Sequence, residues 1–288
     1  MKSKKINGNF GIEFYDVDVN TMTEAELAEA KAAQDEHGVI FFRNQSLTCA
    51  QHIGFARRWG DIVVNRFFEQ VDGYAQIAMV RKEPEHAAVV GETWHTDHSY
   101  DLIPARGSIL YAREVPKNGG DTLFANLCHA YEALSSGLKK SLEGLRAIHS
   151  SRHVFSKQAV ESSGPGEDRF RNFERAVQDS VHPVVIVHPL SGKKALYVNP
   201  CFTLQFEGWS REESRPLLDF LYRHVLQPAT TARFRWQEGS IAFWDNRATW
   251  HQAQNDYPTE RRLMHRITLQ GCPLTGCNDQ ASERIQTS

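Results

Sequence analysis

Residues 94–100 have the sequence Trp94-His95-Thr96-Asp97-His98-Ser99-Tyr100, which sets a histidine and a carboxylate two positions apart. In an extended segment, side chains at positions i and i+2 leave the same face of the backbone. We therefore expect His95 and Asp97 to point into one site, where they can bind the same metal ion. A second histidine would complete the two-histidine, one-carboxylate set that binds Fe(II) and leaves coordination positions open. Without a second histidine, His95 and Asp97 are better explained as ordinary polar residues.

His251 is the candidate for the third metal ligand. It follows a predicted turn in the sequence Trp244-Asp245-Asn246-Arg247-Ala248-Thr249-Trp250-His251, and it lies in a short predicted strand over residues 249–253. Aspartate often shapes a turn by bonding to nearby backbone amides, so Asp245 is predicted to be structural and not a metal ligand. The alternative for His251 is a core histidine with a backbone hydrogen-bond partner.

The stretch 262–269 alternates between polar and apolar residues, which is typical of a strand with two different faces. One face would carry Arg262, Met264, Arg266 and Thr268, and the other Leu263, Ile267 and Leu269. The two guanidinium groups would enter the same region, with their backbones roughly 13 Å apart. Because a guanidinium is always charged and matches a carboxylate in a bidentate pair, the pattern indicates anionic ligands. The alternative is a solvated sheet face with surface ion pairs.

The overall composition narrows the class of ligand. The chain has 33 basic and 35 acidic residues and a formal charge of -2, which gives no electrostatic reason to bind nucleic acid or an anionic membrane. The partner is therefore expected to be a small molecule. A length of 288 residues is compatible with one elaborated β domain, so residues 1–288 are predicted to form a single domain.

The basic start of the chain is not followed by an apolar segment of the signal-peptide type, and no later run is long enough to cross a bilayer. We expect a cytoplasmic protein. The five cysteines are an odd number without a Cys-x-x-Cys pair. They are predicted to be free thiols, and a disulfide framework or a thiolate zinc site is not expected.

Capping motifs and short apolar runs predict the main elements. Capping boxes at Thr23 with Glu26, Thr48 with Gln51 and Ser210 with Glu213 predict helices that end near residues 36, 60 and 225, and Asn126 is predicted to cap a helix or helix pair to about residue 148. Strands are predicted at residues 39–42, 107–113, 122–124, 184–188, 195–198, 232–236, 240–244, 249–253 and 262–269. Many short strands with segregated helices favour a mixed α/β protein with a mainly β core, built as a sandwich or jelly roll.

Two segments are set apart from this core. Residues 156–180 are polar, contain glycine and proline, and show little periodicity. A compact domain tolerates such a segment chiefly as a lid, an inserted arm or a disordered loop, and a lid-like insertion is our prediction. Residues 271–288 are polar and are predicted to form a weakly packed tail.

Four motifs taken together resemble those of one enzyme family: Trp-His-Thr-Asp at 94–97, Gly-Gly-Asp-Thr at 119–122, Trp-Asp-Asn-Arg-x-Thr-x-His at 244–251 and Arg-Arg-x-Met-His-Arg at 261–266. They look like the motifs of the taurine dioxygenase / 2,4-D dioxygenase (TauD/TfdA) family of Fe(II)- and 2-oxoglutarate-dependent oxygenases. They follow the family's order, and the resemblance extends from about residue 10 to about residue 270. It implies a double-stranded β-helix, or jelly roll, with flanking helices.

The resemblance also implies roles for individual residues. Iron would be bound by His95, Asp97 and His251. The 2-oxoglutarate cosubstrate would be held at its distal carboxylate by Arg262 and Thr122, with Trp244 lining its site. A dianionic keto acid needs a fixed cation at one end and the metal at the other, which agrees with the two arginines expected on one strand face.

The substrate site is implied in the same way. Arg266 matches the position that holds the acidic group in members that oxidise sulfonates and carboxylates, and Phe155 and Phe202 match the aromatic walls of that pocket. Arg66 is the nearest match to the histidine by which taurine dioxygenase binds the sulfonate, and His98 is a second difference from its substrate site. We therefore expect a small organic acid with an apolar or aromatic body, and not taurine itself.

The implied activity is hydroxylation of a substrate C–H bond with O2 while 2-oxoglutarate is converted to succinate and CO2. Desaturation and ring formation are variants of the same chemistry. We also expect a homo-oligomer. The alternative from another class is a metal-binding jelly roll without oxygenase activity, either a zinc-type hydrolase or a ligand sensor, since zinc sites can also use three protein ligands and a water. That alternative would not explain a cation placed to hold a dicarboxylate.

Overall fold

The computed structural model describes residues 1–7, 10–156, 170, 172, 174, 178–278 and 281–285. Strands predominate within these residues. They are β1 (Lys2–Asn7), β2 (Phe10–Tyr15), β3 (Val39–Phe42), β4 (Ile62–Val63), β5 (Gln70–Val71), β6 (Tyr74–Lys82), β7 (Gly107–Glu114), β8 (Thr122–Asn126), β9 (Arg146–Ser150), β10 (Asp179–Pro183), β11 (Val185–Val187), β12 (Lys194–Leu196), β13 (Thr203–Phe206), β14 (Thr231–Phe234), β15 (Ile241–Asp245), β16 (Thr249–Ala253), β17 (Arg262–Leu269) and β18 (Glu283–Arg284).

The described chain has fewer helices than strands. They are α1 (Glu24–His37), α2 (Cys49–Arg57), α3 (Leu127–Glu132), α4 (Ser136–Leu142), α5 (Arg152–Phe155) and α6 (Arg211–Val225), with a 3-10 turn at Pro228–Thr230. The chain is thus a mixed α/β protein with a mainly β core, as predicted. Among the helices described, none is long and apolar enough to cross a membrane.

Four sheets are formed by the described strands. The largest has the order β1-β2-β3-β15-β7-β17-β6-β5, with β4 also paired to β17. A three-stranded sheet has the order β14-β8-β16, a four-stranded sheet the order β13-β9-β10-β18, and β11 pairs with β12. Strands β2 and β3 are parallel, while the strands that carry the candidate site pair antiparallel.

Alternate residues of the large sheet face two different hydrophobic cores. On β3, Phe41 packs between Phe124 of β8 and Phe234 of β14, at ring-centroid distances of 5.5 and 4.1 Å. The next residue, Phe42, points the other way and packs against Phe55 of α2. Since side chains alternate along a strand, the sheet buries both faces, one toward the three-stranded sheet and one toward the helices. We call the first of these the inner face.

Strand β17 has the predicted bounds and the predicted division of faces. Met264 belongs to the core on the inner face, whereas Ile267 and Leu269 belong to the core beneath the helices. Arg262 and Arg266 share the face of Met264 and are buried, with 5% and 7% of their surface exposed. The alternative of a solvated sheet face is therefore wrong for these two arginines.

The helix starts follow the predicted capping chemistry. Complete capping boxes are present at Thr23, Thr48 and Ser210, and the side chain of Asn126 caps α3. The predicted continuation of helix to about residue 148 is wrong, because residues 146–150 form strand β9. That strand is stabilised by pairing with β10 and β13, which are distant in sequence, and local pattern does not reveal such partners.

Most of the predicted lid, residues 156–180, lies outside the described residues, so the lid stays a prediction. Two of its described residues contact the segment that follows β4. Asn172 donates a hydrogen bond to Arg66 O at 2.6 Å, and Phe170 forms an isolated bridge with Phe68. These contacts lie beside the candidate site described below.

The tail at residues 271–288 is tied to the protein in two places. Leu274 is buried with 1% of its surface exposed, and β18 pairs with β10. This part of the tail is packed more firmly than we predicted. The cysteines, including Cys272 and Cys277 in the tail, are free thiols as predicted.

Asp245, the last residue of β15, is the centre of a buried ion pair. Its carboxylate accepts hydrogen bonds from Arg247 N at 2.9 Å, from Arg247 Nη2 at 2.5 Å and from His188 Nε2 at 3.2 Å. Burial alone would raise the pKa of Asp245, but the Arg247 guanidinium and His188 lower it below its ordinary value. The side chain thus shapes the turn before β16, as predicted.

We expect Asp245→Asn to lower the free energy of unfolding by about 3–5 kcal/mol, because it leaves the Arg247 guanidinium buried without its counter-charge. Urea unfolding at neutral pH measures the change. Asp219→Asn is the matched control, since Asp219 pairs with Arg215 on the exposed side of α6. The control should change stability by less than about 1 kcal/mol. Equal losses in the two variants would contradict a special role for the buried pair.

The same pair predicts how stability depends on pH. The folded-state pKa of Asp245 lies below the unfolded value of about 3.9, so its contribution is complete at neutral pH and declines as the pH falls below about 4. The difference in unfolding free energy between the wild type and Asp245→Asn should therefore shrink in acid. Urea unfolding at a series of pH values measures it, and a difference that grows in acid would refute the assignment.

Candidate functional site

The two histidines of the predicted metal site are joined by their backbones. His95 N donates to His251 O at 3.1 Å, and His251 N donates to His95 O at 2.8 Å. His95 thereby lies against β16 as an isolated antiparallel bridge. Residues 97–100 form a turn, so the predicted extended conformation is wrong beyond His95. The turn nevertheless directs Asp97 into the same site.

His95, Asp97 and His251 form the one cluster of three potential metal ligands found among the described residues. Their ligand atoms all lie within 4.8 Å of one another, and all three residues are buried. His95 Nε2 is 3.5 Å from Asp97 Oδ1, and His251 Nε2 is 3.7 Å from Asp97 Oδ2. The structure therefore brings together the three residues predicted from separate parts of the sequence.

The protonation states of the cluster suit metal binding. His95 Nδ1 lies 2.7 Å from Thr93 O, and because a carbonyl only accepts, Nδ1 carries the proton and Nε2 keeps its lone pair. Burial and the nearby His95 lower the pKa of His251 well below its ordinary value, which keeps it neutral. Burial alone would raise the pKa of Asp97, but Arg266 holds it well below its ordinary value, so the carboxylate is ionised.

Asp97 is also held by two residues on the inner face of the large sheet. Arg266 Nη2 lies 2.8 Å from Asp97 Oδ2, and the Ser108 hydroxyl donates to the same oxygen at 3.2 Å. Arg266 Nε in turn donates to Ser108 Oγ at 3.1 Å. The predicted substrate arginine is therefore in direct contact with the predicted metal ligand.

The turn before β16 positions the cluster from the other side. The Thr96 hydroxyl donates to Asn246 O, and Trp244 Nε1 donates to Asn246 Oδ1 at 2.9 Å. The ring of Trp244 lies 4.5 Å from the ring of His251, between centroids. Asn246 thus links the segment that carries His95 and Asp97 to the turn that precedes His251, and Trp244 lies next to the cluster.

Arg262 is a buried cation whose Nε and Nη2 atoms have no hydrogen-bond partner within the described residues. Its Cζ lies 5.6 Å from the ring centroid of Trp236, and Trp236 Nε1 donates to Thr122 Oγ1 at 2.9 Å. Burial lowers the pKa of Arg262. Burying an unpaired cation is costly, so the open donors of Arg262 indicate an anionic ligand at this end of β17.

Beside the cluster lies a group of aromatic side chains that we call the aromatic chamber. Its members are Phe67, Phe68, Tyr100, Phe155, Phe170 and Phe202. Phe202 connects the chamber to the cluster, because its ring centroid lies 6.1 Å from that of His95. The rings of Phe155 and Phe202 are also 6.1 Å apart, so the two predicted aromatic residues belong to one wall.

Arg66 and His98 meet at Asp101. Arg66 Nη2 donates to Asp101 Oδ1 at 2.5 Å, and His98 Nδ1 donates to Asp101 Oδ2 at 2.9 Å. His98 Nε2 faces Asn65 Nδ2 at 3.5 Å. Because Asp101 neutralises the charge of Arg66, this arginine is not a free cation for a substrate. Its guanidinium lies over the rings of Phe67 and Tyr100 at the border of the chamber.

The residue set fits a non-haem iron site. Two neutral imidazoles and one carboxylate are the ligands that Fe(II) uses when positions must remain open for other ligands. The unsatisfied donors of Arg262 on the same strand face as Arg266 suit a second, anionic group bound together with the metal.

Sequence reasoning missed several residues that border the site. Ser108, Asn65, Asp101 and Tyr100 were not singled out, although each is in contact with a predicted site residue. For Ser108 a signal was available. Ser108 lies on a face of its strand on which the other residues, such as Leu110, are apolar. A hydroxyl group on a buried apolar face usually has a buried polar partner.

Comparisons with known proteins agree with this site. The family model for "Taurine catabolism dioxygenase TauD, TfdA family" matches residues 2–268. An alpha-ketoglutarate-dependent sulfate ester dioxygenase of Pseudomonas putida is 34% identical over 280 residues, covering 96% of this chain and 92% of that protein. An alpha-ketoglutarate-dependent 2,4-dichlorophenoxyacetate dioxygenase of Cupriavidus pinatubonensis is 33% identical over 279 residues, covering 90% of this chain and 93% of that protein.

A solved structure is similar over its whole length. The crystal structure of a putative alpha-ketoglutarate-dependent taurine dioxygenase from Burkholderia xenovorans superimposes with a TM-score of 0.85 at 34% sequence identity, covering 100% of this chain and 98% of that one. These matches do not support a zinc-type hydrolase or a ligand sensor. With a His-Asp-His cluster that fits iron, the chain is a dioxygenase that uses Fe(II), 2-oxoglutarate and O2, and it belongs to the TauD/TfdA family.

Proposed function

We propose that this dioxygenase hydroxylates a C–H bond of a small organic acid with an apolar or aromatic body, while 2-oxoglutarate is converted to succinate and CO2. The observation that supports it best is the joining of three elements on one side of the sheet. They are the His95, Asp97 and His251 cluster, the unpaired Arg262, and the aromatic chamber next to His95.

In this proposal His95, Asp97 and His251 hold the iron through Nε2, one carboxylate oxygen and Nε2. When bound, Fe(II) with 2-oxoglutarate and O2 supplies the oxidising power for the C–H bond. The protein positions the substrate and excludes water from the site. Burial of all three ligands supports the second task, because the cluster lies within the inner core and away from solvent.

The cosubstrate would be bound by Arg262 and Thr122, with Trp244 beside the metal end. Arg262 supplies a fixed charge with free N–H groups, and its guanidinium can make a bidentate pair with the distal carboxylate. The hydroxyl of Thr122 already accepts a hydrogen bond from Trp236, so its own proton can be donated to a carboxylate.

The acidic group of the substrate would bind at Arg266, between the metal cluster and the aromatic chamber. The Cζ atom of Arg266 lies 5.9 Å from the ring centroid of Phe68, so a ligand at Arg266 can place its body in the chamber. Phe155 and Phe202 would form its aromatic wall. With Fe(II) and the cosubstrate dianion bound, the charges of Arg262, Arg266 and Asp97 leave the site with one net positive charge. A monoanionic substrate would neutralise that charge.

Arg66 and His98 would shape the far end of the pocket and not bind the acid directly. Both are held by Asp101, and the Arg66 charge is compensated there. The relatives are named for sulfate esters and for 2,4-dichlorophenoxyacetate, which are anions, and the second has an aromatic body. A pocket with one net positive charge and six aromatic rings suits molecules of that kind better than a compact zwitterion such as taurine.

Further expectations from the sequence belong to the same proposal. The nine-stranded and three-stranded sheets, which face each other across the inner core, are proposed to be the two sheets of a jelly roll. Residues 156–180 are proposed to close over the aromatic chamber as a lid, residues 1–288 to form one domain with a tail at 271–288, and the enzyme to act as a cytoplasmic homo-oligomer.

The decisive test is succinate formation by anaerobically prepared protein after addition of Fe(II), 2-oxoglutarate and O2, with a panel of alkyl sulfates, phenoxyalkanoates, sulfonates and amino-acid derivatives. We expect turnover to rise most with apolar or aromatic monoanions and to be abolished in Asp97→Ala. Turnover with the mutant, or no turnover with any of the acids, would contradict the proposal.

Arg262→Met is expected to weaken 2-oxoglutarate binding to the metal-loaded protein by about 10- to 150-fold, because it removes a charge-assisted pair worth about 1.5–3 kcal/mol. Calorimetric titration with Mn(II) in place of iron measures the affinity without turnover. Arg261→Gln is the matched control, since the neighbouring Arg261 is directed to Glu83 and Glu114 outside the inner face. Equal losses in both variants would contradict the role of Arg262.

A further inference from the structure

The two carboxylate oxygens of Asp97 have different surroundings. Oδ2 receives the Ser108 hydroxyl at 3.2 Å and lies 2.8 Å from Arg266 Nη2. Among the described residues Oδ1 accepts no hydrogen bond, and its neighbour His95 Nε2, at 3.5 Å, faces it with a lone pair. Oδ2 is also 3.7 Å from His251 Nε2, so a metal in the cluster could reach either oxygen. The groups that donate to Asp97 therefore determine which of its two oxygens stays free to bind the metal.

The direction of every hydrogen bond at Ser108 is fixed by its partners. Arg266 Nε can only donate, and Asp97 Oδ2 accepts. The Ser108 hydroxyl must therefore accept from Arg266 and give its single proton to Asp97 Oδ2. Ser108 has no exposed surface, so water does not compete with either bond.

We propose that Ser108 is a positioning residue that holds Asp97 in one-oxygen coordination of the iron. The Ser108 hydroxyl donates to Oδ2 and accepts from Arg266 Nε, which keeps the positive charge of the guanidinium beside that oxygen. Oδ1 is then left as the metal ligand. The inference rests on the proposed role of Asp97 and adds a residue that none of the sequence motifs contains.

One-oxygen coordination matters because the open positions of the site are few. A carboxylate can bind a metal through one or both of its oxygens. Binding through both would take up a position that the cosubstrate and O2 require in a two-histidine, one-carboxylate site. Donors to the second oxygen orient the ligand and prevent this, as outer contacts of metal ligands commonly do.

The position of Ser108 in the sheet explains how a strand residue reaches the metal ligand. Ser108 of β7 is paired with Thr268 of β17, and Arg266 is two residues before Thr268 on the same face. Both strands lie in the middle of the nine-stranded sheet, so the serine and the arginine are held by backbone pairing on either side. The two donors are thus fixed relative to each other before any metal binds.

The test compares Ser108→Ala with the wild type in binding Co(II), a redox-stable substitute for iron, under conditions without turnover. We expect Ser108→Ala to bind Co(II) about 10- to 100-fold more weakly, as is typical when an outer contact of a metal ligand is lost. We also expect its Co(II) absorption spectrum to change, because the carboxylate gains freedom to bind through both oxygens. Ser108→Thr keeps the hydroxyl and should restore the wild-type spectrum.

Thr268→Val is the matched control. Thr268 is the residue opposite Ser108, is buried on the same face, and its hydroxyl makes no hydrogen bond within the described residues. This variant should bind Co(II) within about twofold of the wild type and leave the spectrum unchanged. Far-ultraviolet circular dichroism and urea unfolding check that each variant is folded.

The outcomes separate the inference from the proposed function. Wild-type affinity and spectrum in Ser108→Ala would overturn the inference while leaving Asp97 as a ligand. Equal losses in Ser108→Ala and Thr268→Val would also overturn it, since any buried hydroxyl on this face would then have the same effect. If the wild type itself fails to bind Co(II), or binds it equally well as Asp97→Ala, the proposed metal site falls and the inference falls with it.

Discussion

The reciprocal pair of backbone hydrogen bonds between His95 and His251 is the constraint on which the site depends. It joins a turn-forming loop to the edge of β16, although the two residues are far apart in the chain. Once the backbones are paired, the two imidazoles lie side by side, with ring centroids 4.1 Å apart. The turn at residues 97–100 then directs one further side chain, that of Asp97, toward the two imidazoles, and this completes the cluster.

Two arginines of strand β17 carry positive charge into different parts of the site. Arg266, near the middle of the strand, lies at the metal cluster and shares its charge with Asp97, whereas Arg262, the first residue of the strand, keeps free donors. One period-two strand therefore sets the spacing of the whole site, because alternate residues of a strand share a face. The aromatic chamber adds apolar surface on the side of His95, so charge and apolar area are separated within one site.

Much of this arrangement could be predicted from local sequence. Period-two alternation in residues 262–269 predicted which face holds the arginines, and the capping boxes predicted where α1, α2 and α6 begin. Strand β9 could not be predicted in this way, because its partners are distant in sequence. The bond from Ser108 to Asp97 and the neutralisation of Arg66 by Asp101 were missed for the same reason. Both depend on which side chains meet after the sheets have formed.

His95, Asp97 and His251 are proposed to bind one metal while Arg262 holds the far carboxylate of the cosubstrate. A crystal structure of the protein with Mn(II) and 2-oxoglutarate, grown without O2, would show both contacts at once. We expect one metal ion bound by the two Nε2 atoms and by Asp97 through Oδ1 alone, with the distal carboxylate on Arg262. A metal bound elsewhere, or a cosubstrate that leaves Arg262 unpaired, would contradict it.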